Sequence, residues 1–171
     1  FPPQARASSY MGEISDTLVY EKSFTVDGKL SGKEGRILLH FGAVDQIAQV
    51  WVNEIFIGEH EGGYLPFSFD VTDALHDKEN LLKVVAVDTL SHDYPYRKQK
   101  KKPGGMWYTP VSGIWQSVWL EWVPTYYIEK IKMTPDLEGV AIEVQTQGGE
   151  ADGFRVCVTL HNGQTVEKTF S

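Results

Sequence analysis

The chain has 171 residues, with 16 Lys and Arg against 23 Asp and Glu, a formal charge of −7 and a single cysteine, Cys157. That length suits one domain of about 100–150 residues plus a remainder and excludes a multidomain enzyme, while 42% apolar residues argue against a disordered chain. The acidic balance argues against nucleic acid as the main partner, and one cysteine leaves no intrachain disulfide or Cys-based zinc cluster. No window approaches the roughly 20 apolar residues of a membrane helix. The opening Phe1-Pro2-Pro3-Gln4 lacks a charged region followed by an apolar stretch, so no signal peptide is expected. The compartment stays open.

Taken in chain order, period-2 patterning predicts strands over Leu18 to Val26 and Arg36 to Phe41. Val50-Trp51-Val52 and Ile55-Phe56-Ile57 face each other across a two-residue turn. Phe67, Phe69 and Val71 alternate with polar residues, and one helical turn near Val71–Leu75 has Thr72 or Asp73 as its candidate cap. Leu81 to Val87 is nearly continuously apolar, which predicts a strand buried on both faces. Ser91 to Pro110 is a long irregular connection, and loops beyond about 12–15 residues are often functional. Ile114 to Val123 reads as one aromatic, β-branched strand. No stretch holds a 3.6-residue period, so an antiparallel sandwich is expected.

Composition changes after Pro124, and a domain boundary is placed near Val123–Thr125. Beyond it come about four amphipathic strands, including Val140, Ile142 and Val144 and then Val156, Val158 and Leu160, with Asn162-Gly163 as a type I′ hairpin signal. An immunoglobulin-like sandwich needs about seven strands, so residues 125–171 read as a domain cut off in mid-fold.

Chemistry is harder to find. No nucleophile elbow, phosphate-cradling glycine loop or His pair at metal-ligand spacing is present, and no cofactor or metal is expected. His40, His60, His76, His92 and His161 are scattered, and the Asp residues fall where turn-stabilising hydrogen bonds account for them. The basic run Arg97 to Lys102 reads as a solvated loop. Aromatics are more informative. Trp115 and Trp119, on one strand face, read as sandwich core, whereas Trp107 and Tyr108 end the long loop. Flat rings there could stack on the C–H face of a sugar.

The segments Phe41 to Asp45, Val50 to Asn53, Ile57 to Thr72 (IGEHEGGYLPFSFDVT) and Trp107 to Glu121 (WYTPVSGIWQSVWLE) together resemble the N-terminal sugar-binding domain of family 2 glycoside hydrolases. These are relatives of the β-galactosidases, β-glucuronidases and β-mannosidases. The resemblance covers about residues 1–124, and residues 125–171 resemble the start of that family's immunoglobulin-like second domain. It implies a jelly-roll (galactose-binding-like) β-sandwich, then a truncated immunoglobulin-like sandwich, then a catalytic TIM barrel lying outside this chain. No catalytic residue is therefore expected here, and the partners implied are a carbohydrate substrate and that barrel.

The resemblance also implies site residues. Asn53 matches an Asn that reaches the sugar in several relatives. The usual Asn-Gly is Asn53-Glu54 here, and Glu at φ > 0 costs on the order of 1 kcal/mol, so a different turn type is expected. Relatives carry Pro-Arg-Gly-Lys-Gln in the long loop; this chain has Pro95-Tyr96-Arg97-Lys98-Gln99, so Lys98 and Gln99 match. A sugar-contacting Asp of some relatives is replaced by Trp107. Asn53, Lys98, Gln99, Trp107 and Tyr108 are the expected substrate contacts. A free-standing carbohydrate-binding module is the other reading of the same features.

Overall fold

The computed structural model describes residues 15–26, 34–95, 98–100, 102, 104–108, 110–149 and 153–170. It contains thirteen strands among them and one 3-10 turn, Thr72–Ala74. The chain divides into two compact units, Phe1–Trp122 and Val123–Ser171.

In the first unit, β1 (Thr17–Thr25), β7 (Glu79–Val87), β4 (Ile47–Val52) and β5 (Ile55–Glu61) form an antiparallel sheet in the order β1-β7-β4-β5. A second sheet has the order β6-β2-β9, with β2 at Arg36–Phe41, β6 at Phe67–Asp70 and β9 at Val118–Val123. Alternation explains the layering, because residues two apart share a sheet face. Ala48, Val50 and Val52 of β4 and Leu82, Val84 and Ala86 of β7 are buried from one side. Ile37, Leu39 and Phe41 of β2 are buried from the other, and all belong to one core. A one-residue slip of β4 would turn its three buried side chains to the opposite face, so the register is firmly specified.

β7 departs from expectation. Its burial alternates, with Leu81 exposed and Lys83, Val85 and Val87 partly covered, because only one layer packs on it. The expected Ile114–Val123 strand is broken into β8 (Gly113–Ile114) and β9. β8 pairs with β3 (Val44–Asp45), and the bonds Trp115 N–H to Ala43 O (3.4 Å) and Gly42 N–H to Ser117 O (2.8 Å) show both chains turning the same corner between β-pairs. That corner moves Trp115 off β9. Trp119 sits on the outer face of the second sheet, 45% exposed and stacked on His40 at 4.9 Å, so it is not a core residue. The core side of β9 is taken by Val118, Leu120 and Trp122.

The β4–β5 turn keeps the geometry that Glu54 was expected to alter. Asn53 (φ +50°) and Glu54 (φ +67°) both have positive φ, the signature of a type I′ turn. The helical turn at Thr72–Ala74 has no side-chain cap from Thr72 or Asp73; instead Asp70 Oδ1 accepts the Thr72 N–H (3.0 Å) and hydroxyl (2.6 Å).

In the second unit, β10 (Tyr127–Pro135) pairs with β11 (Val140–Gln147), and β12 (Phe154–Thr159) with β13 (Thr165–Phe170), as two antiparallel hairpins. The β12–β13 connection is not type I′. Only Gly163 has positive φ (+82°), and its N–H returns to Leu160 O (2.9 Å), the pattern of a four-residue turn ending in a left-handed glycine.

Candidate functional site

The long loop leaves the first sheet at the end of β7, and its two ends are tied there. Asp88, buried, accepts the Ser112 hydroxyl (2.7 Å) on Oδ2 and the Leu90 N–H (2.9 Å) on Oδ1. Both Asp88 and Ser112 are buried, so this bond joins two desolvated groups that would each be costly left alone. Further ties lie along the loop. The Tyr64 hydroxyl donates to the Pro95 carbonyl (3.1 Å), and a hydrogen bond to Glu61 raises the Tyr94 hydroxyl above its ordinary range, helped by the acidic neighbours Asp93 and Glu59.

Tyr64 is itself placed by the Gly62-Gly63 pair, and the two glycines serve different ends. Gly62 has φ +122°, which disfavours any side chain, whereas a Cβ on Gly63 would overlap the Asp45 carboxylate. The Gly63 carbonyl accepts the Trp115 indole N–H (2.8 Å), and Trp115 meets the edge of Tyr64 at 6.3 Å. A Trp read as core thus serves as a bracket under the loop.

The expected contacts from the loop come together on this support. Residues 98–100 run beside 107–108: Gln99 and Tyr108 form a parallel bridge, with Tyr108 N–H to Lys98 O at 2.7 Å and Lys100 N–H to Tyr108 O at 3.2 Å. The Gln99 Oε1 accepts the Val111 N–H (2.5 Å), turning that side chain inward. In extended chain, the residues on either side of it take the opposite side. Lys98 and Lys100 are indeed exposed, with the Lys100 ammonium 4.4 Å from the Trp107 ring centroid. Trp107 is half-buried and Tyr108 is 67% exposed. Tyr96 and Arg97, the two departures in the loop motif, lie outside the described residues, as does Lys101 of the basic run.

Asn53 is elsewhere. β4 runs from Ile47, paired with Val87 where the loop departs, to Val52 beside Asn53. Five steps of about 3.3 Å put Val52, the residue before Asn53, about 17 Å from that end. The Asn53 amide donates to Ala74 O (2.7 Å) and Asn80 Oδ1 (2.7 Å), and its Oδ1 accepts the Leu81 N–H (2.9 Å). Both donors and one lone pair are spent inside the domain.

Among the described residues, no group of three or more His, Cys, Asp or Glu could hold a metal ion. Besides Asp93, the described loop offers cationic, amide and aromatic groups, which suit binding and stacking. Sequence reasoning missed Asp88, Ser112 and Trp115 as its braces. Nothing local marks an Asp and a Ser 24 positions apart as a pair.

Fold and site define an all-β sandwich domain that presents a braced aromatic and cationic loop at one end of its sheets. The chain belongs to the glycosyl hydrolases family 2, with residues 3–124 matching the sugar binding domain of that family. It is 32% identical over 157 residues to a β-galactosidase of Thermoanaerobacter pseudethanolicus, an alignment covering 86% of this chain and 20% of that protein. It is 27% identical over 169 residues to a β-glucuronidase of Canis lupus familiaris, covering 86% of this chain and 26% of that one. Among solved structures, a β-glucuronidase from an uncultured Clostridium superposes with a TM-score of 0.70 at 28% identity, over 89% of this chain and 28% of that chain. The chain thus spans about a quarter or less of the length of these two curated relatives.

Proposed function

We propose that this chain is the non-catalytic N-terminal portion of a family 2 glycoside hydrolase that cleaves O-glycosidic bonds, β-galactosidase-like in type. In this reading residues 1–124 are a jelly-roll domain and residues 125–171 the first strands of an immunoglobulin-like domain. The 91–110 loop shapes the rim of the substrate pocket of a TIM barrel outside the chain. A retaining glycosidase needs two carboxyl groups about 5–5.5 Å apart on a rigid scaffold, and a TIM barrel takes about 250 residues, more than the 171 present.

The observation that carries the reading is the bracing of the loop. A merely solvated connection has no need of Asp88–Ser112, Tyr64–Pro95 and Gln99–Val111 ties, and these support a preorganised loop carrying Lys98, Gln99, Trp107 and Tyr108. Preorganised groups of this kind lower the entropic cost of holding a ligand. Asn53, committed to its hairpin, takes no part in this rim unless it gives up one of its internal bonds.

The test is kinetic. In the chain joined to its barrel, Trp107→Ala or Tyr108→Ala should raise KM several-fold with a smaller effect on kcat; unchanged KM and kcat in both variants would sink the pocket-rim role. The exposed Tyr108 ring also fits a free-standing carbohydrate-binding module. Calorimetric heat with neutral sugars from the isolated chain, abolished by Tyr108→Ala, would favour that alternative.

A further inference from the structure

The chain carries a formal −7, yet no acidic residue lies between Asp93 and Glu121, while five cations lie at Arg97, Lys98, Lys100, Lys101 and Lys102. The described part of this run is ordered in a way that a solvated charge run is not. Gln99 is pinned inward by the Val111 N–H (2.5 Å), and residues 98–100 are stitched to Tyr108 by two backbone bonds (2.7 and 3.2 Å). Lys98 and Lys100 therefore project together on the side away from Gln99. Lys100 lies over Trp107 at 4.4 Å, and among the described residues no carboxylate pairs with Lys98, Lys100 or Lys102. Exposed lysines without a carboxylate partner, one of them over the half-buried Trp107 ring and close in sequence to the exposed Tyr108, have a matching ligand chemistry: separated negative charges carried on rings with an apolar face.

We propose that the Lys98–Tyr108 surface binds an anionic oligosaccharide, with Lys98, Lys100 and Lys102 meeting its charged substituents and Tyr108 stacking on a ring. This names the ligand class of the loop and rests on the pocket-rim reading given above. Carboxylate and sulfate ester groups offer the same charged oxygens, so both are candidates for the charged substituent. A long, uniform polyanion such as a nucleic acid fits less well. Glu59, Glu61 and Asp93 act on the Tyr94 hydroxyl, and a polyanion long enough to lie over Tyr94 would meet their repulsion.

The experiment is titration calorimetry of the 171-residue chain against four probes. These are a sulfated galactan oligosaccharide, its desulfated counterpart, a polyuronate oligosaccharide and its methyl ester. The expected result is binding of at least one anionic probe, with its neutral counterpart at least about tenfold weaker. Raising salt from about 50 to about 300 mM should weaken that binding about fivefold or more. Replacing Lys98, Lys100 and Lys102 together with Gln should cost at least about tenfold and flatten the salt dependence. Tyr108→Ala should cost about fivefold and leave the salt dependence as it was. Binding of the sulfated probe alone, or of the uronate alone, supports the proposal and identifies the charged group. No binding of either anion overturns it, as does equal binding of neutral and charged probes. Displacement of the sugar by single-stranded RNA at equal or lower concentration overturns it too, marking an unselective polyanion patch. Circular dichroism checks that the variants, all at exposed positions, remain folded. If anion binding is absent while Trp107→Ala and Tyr108→Ala still raise KM in the barrel-linked enzyme, the proposal fails and the pocket-rim reading survives.

Discussion

Glu54 sits at φ +67° with no glycine's licence to do so, next to Asn53 at φ +50°. An L-residue in the left-handed region costs on the order of 1 kcal/mol, less for Asn, whose short amide can bond locally. The strain is held because Asn53 makes three side-chain hydrogen bonds, one of them to Asn80, which is only 1% exposed. Neighbouring substitutions should have opposite outcomes. Glu54→Gly should stabilise the first unit by up to about 1 kcal/mol, read as a higher urea midpoint, because glycine enters this region without strain. Asn53→Ala should destabilise it by roughly 2–3 kcal/mol, since the Asn80 Oδ1 and the Ala74 carbonyl lose a donor and the Leu81 N–H its acceptor. If Asn53→Ala left the midpoint unchanged while lowering sugar affinity, Asn53 would be a binding residue and not a structural one. The Asn-x hairpin was legible from sequence as a turn. That the amide would be consumed by a segment 27 positions away was not.

The strands were legible because alternation writes itself directly into one-sided burial. Arg36–Phe41 matches its expected limits, β1 lies one residue earlier than Leu18–Val26, β6 ends at Asp70 before Val71, and β4 and β5 contain the expected Val50–Val52 and Ile55–Ile57 but extend to Ile47 and Glu61. What alternation does not encode is which strand lies alongside, so the break at Trp115–Ser117 was invisible. A continuous aromatic and β-branched run gives no local sign that its first residues pair with β3 and its last with β2. Trp119 shows the same limit: its period says which face it shares, but not that this face is the outer one, where it stacks on His40. At the junction, Tyr20 of β1 reaches β8. Burial pushes its hydroxyl pKa up from the usual value near 10, opposed by a backbone hydrogen bond at Ile114. The folded state therefore holds this proton at pH values where the unfolded chain has already released it. Above the unfolded pKa of about 10 the folded state binds more protons, so stability falls as pH rises. Urea midpoints measured from pH 8 to 11 should fall more steeply for the native chain than for Tyr20→Phe. Equal slopes would mean that Tyr20 is not the group responsible.

The whole molecule sets two unlike units in one chain. The first closes a core between two sheets. The second consists, among its described residues, of two two-stranded hairpins, and such a hairpin is marginal in water unless something covers its apolar face. Ile131 and Met133 of β10 lie opposite Val144 and Ile142 of β11, with Val140 continuing the same face. Yet Met133 is 66% exposed and Ile131 53% exposed. An apolar stripe of this kind is an association surface. The chain at high concentration should therefore scatter light as more than a monomer, and Ile131→Lys with Met133→Lys should return the mass toward monomeric. The same preparation supplies the last check on what the chain can do. The described loop presents one carboxylate, Asp93, beside lysines, an amide and aromatics, and a TIM barrel that would hold two carboxyl groups in retaining geometry takes about 250 residues, more than the 171 present. Purified chain incubated with aryl β-galactoside and β-glucuronide should release no more aryl alcohol than a mock preparation. Turnover above that blank, persisting through a second chromatographic step and abolished by substitutions within residues 15–122, would place catalysis inside the sandwich and overturn its assignment as the non-catalytic portion.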